Sequence, residues 1–298
     1  MPSSGQSTEA ELRDIARSAG VSAWVHTERL GGPEGDVGLA ASAPVAIASL
    51  YKLPLALVWA DLVQAEILTE SDRMLLAADR RVAGPTGVAL LLDDVEMSQR
   101  DVVRQMLAVS DNAGGDAIFG LIGRDRIRRH LSAIGLPPDM VRQASAGETG
   151  AMMRDTGSES WSAAQRLLAD PDRVTDTSQY DPAFASSASA ADVTALLRML
   201  WLRAGSGHAI IRDAMAQQAW RHRIGSGFPH DDVTVFGKTG TLGTLRHEAA
   251  VVQYPHEYPI AVAVLTRSVR PERHQPRVDA AIGEIARLAV RPLRMATS

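Results

Sequence analysis

The pattern of apolar and polar positions divides the chain into a sheet-forming start, a helical middle and a sheet-forming end. Thr8-X-X-Glu11 has the form of a capping box, and a short helix is predicted from there to about Ser18. Residues 21–27 and 37–41 read as strands around a Gly32-Pro33-Glu34-Gly35 turn. Near the other end, 234–239, 245–254 and 260–266 read as three more strands, the last two joined at a Pro255 to Pro259 hairpin. Val278, Ile282, Ile285 and Ala289 fall at helical spacing and predict a closing helix.

Between these ends, helical periodicity runs over 49–66, 98–109, 125–134, 160–168 and 189–202. Ser98-X-X-Asp101 and Ser189-X-X-Asp192 resemble capping boxes with Asp in place of Glu. Residues 135–188 are rich in Gly, Ser, Asp and Pro and read as a long excursion with one short helical stretch; loops of that length are often functional. The predicted fold is α+β, an α/β sandwich whose antiparallel sheet comes from both chain ends and is flanked by helices. An all-helical domain is inserted into it. The expected boundaries are 1–48 with 223–298 for the sheet domain and 49–222 for the helical one.

At 298 residues the chain can bury a sizeable core in one large or two moderate domains. A formal charge of −4 offers no phosphate-tracking surface, which argues against a nucleic-acid partner. Arg124, Arg126, Arg128 and Arg129, interleaved with Asp125, read as a solvated helix face. The absence of cysteine excludes disulfides, thiol nucleophiles and zinc-thiolate sites. Eight scattered histidines show no zinc spacing, so no metal is expected, and His222 and His247 read as ordinary polar residues. The longest apolar run, 53–60, is far too short to cross a bilayer. Met1 to Thr8 has no basic and apolar leader, so the chain reads as cytoplasmic as written, or as secreted if a leader was trimmed. Nothing in it sets an oligomeric state.

Only two lysines occur, Lys52 and Lys238, against 29 arginines. A guanidinium stays protonated, whereas an ammonium can give up its proton when desolvated, so a chain this sparing with lysine points to chemistry at both positions. Ser49-Leu50-Tyr51-Lys52 places a hydroxyl at the start of an apolar helical run, with Lys52 one turn along the same face. Ser110-Asp111-Asn112 follows the helix predicted to end at Val109, and Lys238-Thr239-Gly240-Thr241 ends a β-branched stretch. Each has a bland reading, as an N-cap, a turn and a strand end respectively. All three in this order do not fit the bland readings together.

With these motifs the chain resembles the serine β-lactamase and penicillin-binding-protein family, most closely the class A β-lactamases. The resemblance covers motif order, the gap between the first two motifs and the sheet-helix-sheet layout. It implies that Ser49 attacks a carbonyl to form an acyl-enzyme, that Lys52 takes or relays its proton, and that Ser110 passes a proton to the leaving nitrogen. It further implies that Asn112 binds a substrate amide and that the Ser49 and Thr241 N–H groups form an oxyanion hole. Lys238, Thr239 and Thr241, beside Gly240, would hold a substrate carboxylate, aided by Arg223 or Arg246; His222-Arg223-Ile224 followed by Gly227-Phe228-Pro229 also looks like a family segment.

The family's Glu-X-X-Leu-Asn box is missing. Glu148 stands near its expected place without the Leu and Asn, in a Gly-flanked stretch expected to be flexible, which puts deacylation in doubt. Glu248 is expected to share a strand face with Arg246 and to pair with it. The expected partner is a small molecule, a β-lactam or related acyl donor, with no metal or organic cofactor. Two other readings stay open: an intracellular esterase or amidase of secondary metabolism, and a non-catalytic binding protein on the same fold.

Overall fold

A computed structural model describes residues 4–173 and 175–297. Helix α1 (Ser4–Ser18) leads into β1 (Val21–Arg29) and, across the expected turn, β2 (Asp36–Leu39). The chain passes through β3 (Val45–Ala46) and a 3-10 turn over Ala48–Tyr51 into α2 (Lys52–Gln64). Then come β4 (Arg73–Leu76), β5 (Val95–Ser98), α3 (Gln99–Ala108), α4 (Asn112–Ile122) and α5 (Arg124–Ala133). Helices α6 (Ser145–Thr156) and α7 (Trp161–Leu168) precede β6 (Ser187–Ala188), α8 (Ala190–Leu202) and α9 (Ser206–Ala216). Strands β7 (Thr234–Leu242), β8 (Leu245–Gln253) and β9 (Ile260–Ser268) and helix α10 (Pro276–Val290) complete the fold.

The main sheet has the order β2-β1-β9-β8-β7, antiparallel throughout, so both chain ends build it as expected for an α+β fold. Strands β8 and β9 are buried almost throughout because both faces are covered, which is why they read as near-continuous apolar runs. Alternate residues enter two cores. Ala250, Val252, Val262 and Val264 meet Leu12 of α1 and Ile282 and Ile285 of α10. Ala249, Val251, Ala261 and Leu265 meet the apolar helices of the middle segment, including Val58 and Trp59 of α2. Among the described residues, no helix is long and apolar enough to cross a membrane.

Several local expectations are corrected. Helix α1 is already formed at Ser4, so Thr8 and Glu11 lie inside it rather than at its start; Ser7 Oγ donates to Glu11 Oε1 at 3.1 Å. Met1 to Ser3 lie outside the described residues, as does Val174 within the 135–188 stretch. The Ser98 cap forms, and Ser189 with Asp192 closes both halves of its box. The middle is not all helix, since β4 pairs with β5 and β3 with β6.

Helices α4, α6 and α9 were not legible because their glycines lower helix propensity. Some of those glycines serve packing. A Cβ at Gly115 of α4 would come within 2.8 Å of Tyr51 Oη and 3.1 Å of Lys52 Cε, and one at Gly207 of α9 within 3.0 Å of Ala60 Cα. Close approach of α4 and α9 to α2 outweighs the propensity cost.

Candidate active site

Helix α2 is buried on every side from Lys52 to Ala60, so packing alone fixes its first turn. Ala48, just before that turn's serine, sits at φ 45°, and Ser110 at φ 60°. Left-handed backbone at a residue with a Cβ costs about 1–3 kcal/mol and persists only where the surroundings impose it. Here it marks both hydroxyl-bearing motifs. Ser49 and Ser110 line one cleft of about 300 Å³. Asp111, between Ser110 and α4, caps that helix by accepting from the Ala113 and Gly114 N–H groups at 3.2 Å each.

Both lysines are fully buried and converge on Ser110. Lys52 Nζ donates to the Ser110 carbonyl at 2.7 Å, to Asn112 Oδ1 at 2.9 Å and to Ser110 Oγ at 3.4 Å. Lys238 Nζ donates to Ser110 Oγ at 2.8 Å and to the Thr239 carbonyl at 2.7 Å. Burial lowers the Lys52 ammonium pKa, against the pull of Glu148, Asp111 and Asp116. Lys238 is pushed well below its ordinary value by burial, then by Lys52 and Arg223. Desolvation is thus the larger cause at both lysines, with the Lys52 charge adding to it at Lys238.

Strand β7 carries Thr239 and Thr241 to the cleft wall. Gly240 between them approaches the Ser49 turn so closely that a Cβ would stand 2.8 Å from the Ile47 carbonyl oxygen and 3.3 Å from the Leu50 nitrogen. Arg223 is buried beneath this wall. Its Nη2 donates to Thr241 Oγ1 at 2.7 Å, Nη1 to the Gly240 and His247 carbonyls at 3.0 and 2.8 Å, and Nε to Asp279 at 2.8 Å. His222 lines the cleft half-exposed. His247 braces β8 instead, with its Nε2 2.9 Å from the Ala46 carbonyl and its Nδ1 accepting from Thr266 N–H.

Arg246 does not reach the cleft. Asp279 on α10 holds its Nη1 at 3.2 Å and the Arg273 carbonyl accepts from its Nη2 at 2.7 Å, so the guanidinium is drawn toward α10. Glu248 takes the Ile224 N–H rather than Arg246, and burial raises its carboxyl to about 7.

Glu148 lies in the first turn of α6, not on a flexible loop, and lines the cleft while buried. The sequence hid this helix because its start is capped from elsewhere. Ala146 N–H donates to both Asp116 oxygens at 3.2 and 3.1 Å, and Ser145 N–H donates to Tyr51 Oη at 3.1 Å. Ser145 Oγ in turn donates to Asn112 Oδ1 at 3.1 Å. Burial raises Glu148, with Lys52 opposing, and raises Asp116 to about 6. Tyr51, Asp116 and Ser145 were missed, as were the apolar wall residues Met152, Trp161 and Trp220. The available signal was Asp116 one helical turn after Asn112, hidden while α4 was not recognised.

Both the sequence and the fold are similar to those of known proteins. The chain is 28% identical over 295 residues to the beta-lactamase regulatory protein BlaB of Streptomyces cacaoi, covering 93% of this chain and 94% of that one. Its fold is similar to that of a double mutant of the class A β-lactamase of the last common ancestor of Gram-negative bacteria, at a TM-score of 0.76 and 19% identity over 96% of this chain and 98% of the other. It is also similar to a PBP-A mutant in acyl-enzyme complex with penicillin G, at a TM-score of 0.73 and 14% identity over 97% and 96% of the two chains. A sequence model of the beta-lactamase enzyme family matches residues 7–293, and the chain accordingly belongs to that family.

Proposed function

We propose that Ser49 is acylated by a β-lactam or a related amide or ester and that the acyl-enzyme is then hydrolysed. The observation that carries this reading is the convergence of two buried lysines on Ser110 in the cleft that also holds Ser49. Ser49 Oγ bonds to the carbonyl carbon and gives its proton to Lys52. Lys52 is engaged with Ser110 and Asn112 in the resting cleft, so this transfer awaits the tightening that substrate brings. Lys52 passes that proton on to Ser110 Oγ as Ser110, receiving a hydrogen bond from Lys238, hands its own proton to the leaving nitrogen and the C–N bond breaks. The Ser49 and Thr241 N–H groups stabilise the oxyanion, each by about 2.7–4 kcal/mol. Lys238, Thr239 and Thr241 hold a carboxylate, with Arg223 stiffening them from behind. Arg246 has no part in it.

Glu148 is the base for the second half. Fixed on a helix and with a raised pKa, it can take a proton from water attacking the ester, so the reason to expect slow release, a mobile Gly-flanked loop, falls away. Glu148→Gln is expected to leave acylation intact and slow deacylation by about 10²–10⁴-fold, the range of a general base. Burst kinetics with a chromogenic cephalosporin check this, since equal turnover in both proteins would remove Glu148 from the mechanism.

Gly240→Ala is expected to push β7 off the Ser49 turn. That costs about 1–3 kcal/mol of stability, as overpacking does, with a fall in acylation rate that exceeds any loss of folded protein. Thermal melting beside acylation rates gives the readout.

The match to a protein named as a β-lactamase regulator favours a second reading, in which the Ser49 adduct is long-lived and serves as a signal. Intact-mass spectrometry over time with a fluorescent penicillin separates the readings. A transient adduct with product release marks the hydrolase and a durable one the sensor; no adduct returns the esterase or the non-catalytic binder.

A further inference from the structure

On the α1–α10 face of the sheet lies a second cavity, of about 500 Å³, sharing no residue with the Ser49 cleft. Its volume falls within the range of small-ligand sites. Its lining carries charges of both signs. Arg277 Nη2 at the start of α10 donates to the Ser18 carbonyl at the end of α1 at 3.2 Å, so the two helices run antiparallel. Counting back along α1 and forward along α10 brings Glu11 level with Glu284, and both line the cavity. Arg291 stands seven residues beyond Glu284, roughly 10 Å along the axis at 1.5 Å per residue, with Arg287 between them.

The Arg287 and Arg291 guanidinium groups have no hydrogen bond or ion pair among the described residues, whereas that of Arg294 is occupied by Glu257 and stacks 3.9 Å from the Tyr254 ring centroid. Glu11 has only the Ser7 hydroxyl, and Glu284 has no hydrogen bond or ion pair among the described residues. Leu288 and Tyr254 supply apolar surface to the same cavity.

An acidic end at Glu11 and Glu284 and a guanidinium at Arg291 about 10 Å away, with Leu288 between them in the sequence of α10, match a ligand with an ammonium at one end and a carboxylate at the other. Three extended residues span roughly 10 Å. We propose that this cavity binds a short peptide of about three residues by both its free termini, the ammonium at Glu11 and Glu284 and the carboxylate at Arg291, with Arg287 one turn before it adding positive charge and an apolar side chain resting on Leu288 and Tyr254. This stands whether or not Ser49 reacts.

The test is calorimetric titration of the full chain at low ionic strength with the tripeptide Ala-Phe-Ala and with the same peptide acetylated and amidated. The free peptide is expected to bind roughly tenfold or more tightly than the capped one, and the double variant Arg287→Gln/Arg291→Gln to lose a similar factor, about 1.4 kcal/mol. Circular dichroism of the variant and a titration of Glu11→Gln/Glu284→Gln, expected to lose affinity likewise, guard against a folding defect. Equal binding of the capped peptide, undiminished binding by both double variants (as a peptide lodged in the Ser49 cleft would give), or no heat of binding would each overturn the proposal.

Discussion

Ser49→Ala is expected to abolish every covalent adduct while leaving the fold unchanged. The hydroxyl lies at the cleft surface, and the turn that presents it is held by the buried α2 helix and by Gly240 pressing on Ile47 and Leu50, none of which depends on the side chain of residue 49. Stability should therefore change within the roughly ±0.5 kcal/mol typical of a substitution outside the core. The chemistry should vanish entirely, because Ser110 is tied to both lysines and cannot substitute as nucleophile. Intact mass after exposure to a reactive β-lactam or an activated ester reads the outcome. An adduct of undiminished size in the variant would place the nucleophile elsewhere.

Lys52→Arg is expected to be as damaging to acylation as Lys52→Ala, on the order of 10²–10⁴-fold, although it keeps the charge. Burial lowers Lys52 from 10.5 to about 8, so near neutral pH a small share is already unprotonated and able to act as a base. The sign follows directly: wild-type acylation rises with pH and levels off above about 8, as the ammonium gives up its proton. A guanidinium stays charged across this range, so the Arg variant should be slow with no such rise. Space adds to the effect, since even a Cβ at Gly115 would stand 3.1 Å from Lys52 Cε. Acylation rates against pH for wild type, Lys52→Arg and Lys52→Ala are the measurement. An Arg variant near the wild-type rate would reduce Lys52 to an electrostatic partner.

The sheet and its two contributing ends could be read from sequence because β8 and β9 alternate between two apolar cores and α10 has a clear helical stripe. The three motifs were legible because motif order and local structure coincide there: Asp111 both follows Ser110 and caps α4. What escaped was set by contacts between distant segments. Helix α6 begins where Asp116 and Tyr51 supply its caps, and neither is near it in sequence. Glu148 was found by position but misjudged in rigidity for that reason. Arg246 was misplaced because a strand pattern cannot show that Asp279, thirty-three residues on, will claim it.

The position of β1 governs how the protein comes into being. It lies between β2 and β9, with Val21 opposite Ser268 and Arg29 opposite Ile260. During synthesis β1 leaves the ribosome long before its second partner exists. At 5–20 residues per second, that wait is on the order of ten seconds or more. The helical middle can collapse on itself meanwhile, but the sheet cannot close until nearly the whole chain is out. Such distant pairing makes for slow folding and leaves an apolar strand edge open to other chains. A truncation ahead of β9 would remove the strand that joins β1 to β8, so the N-terminal strands would be stranded without the C-terminal ones. Expression yield and chaperone dependence of this protein should accordingly answer to the β1–β9 seam more than to any residue of the cleft.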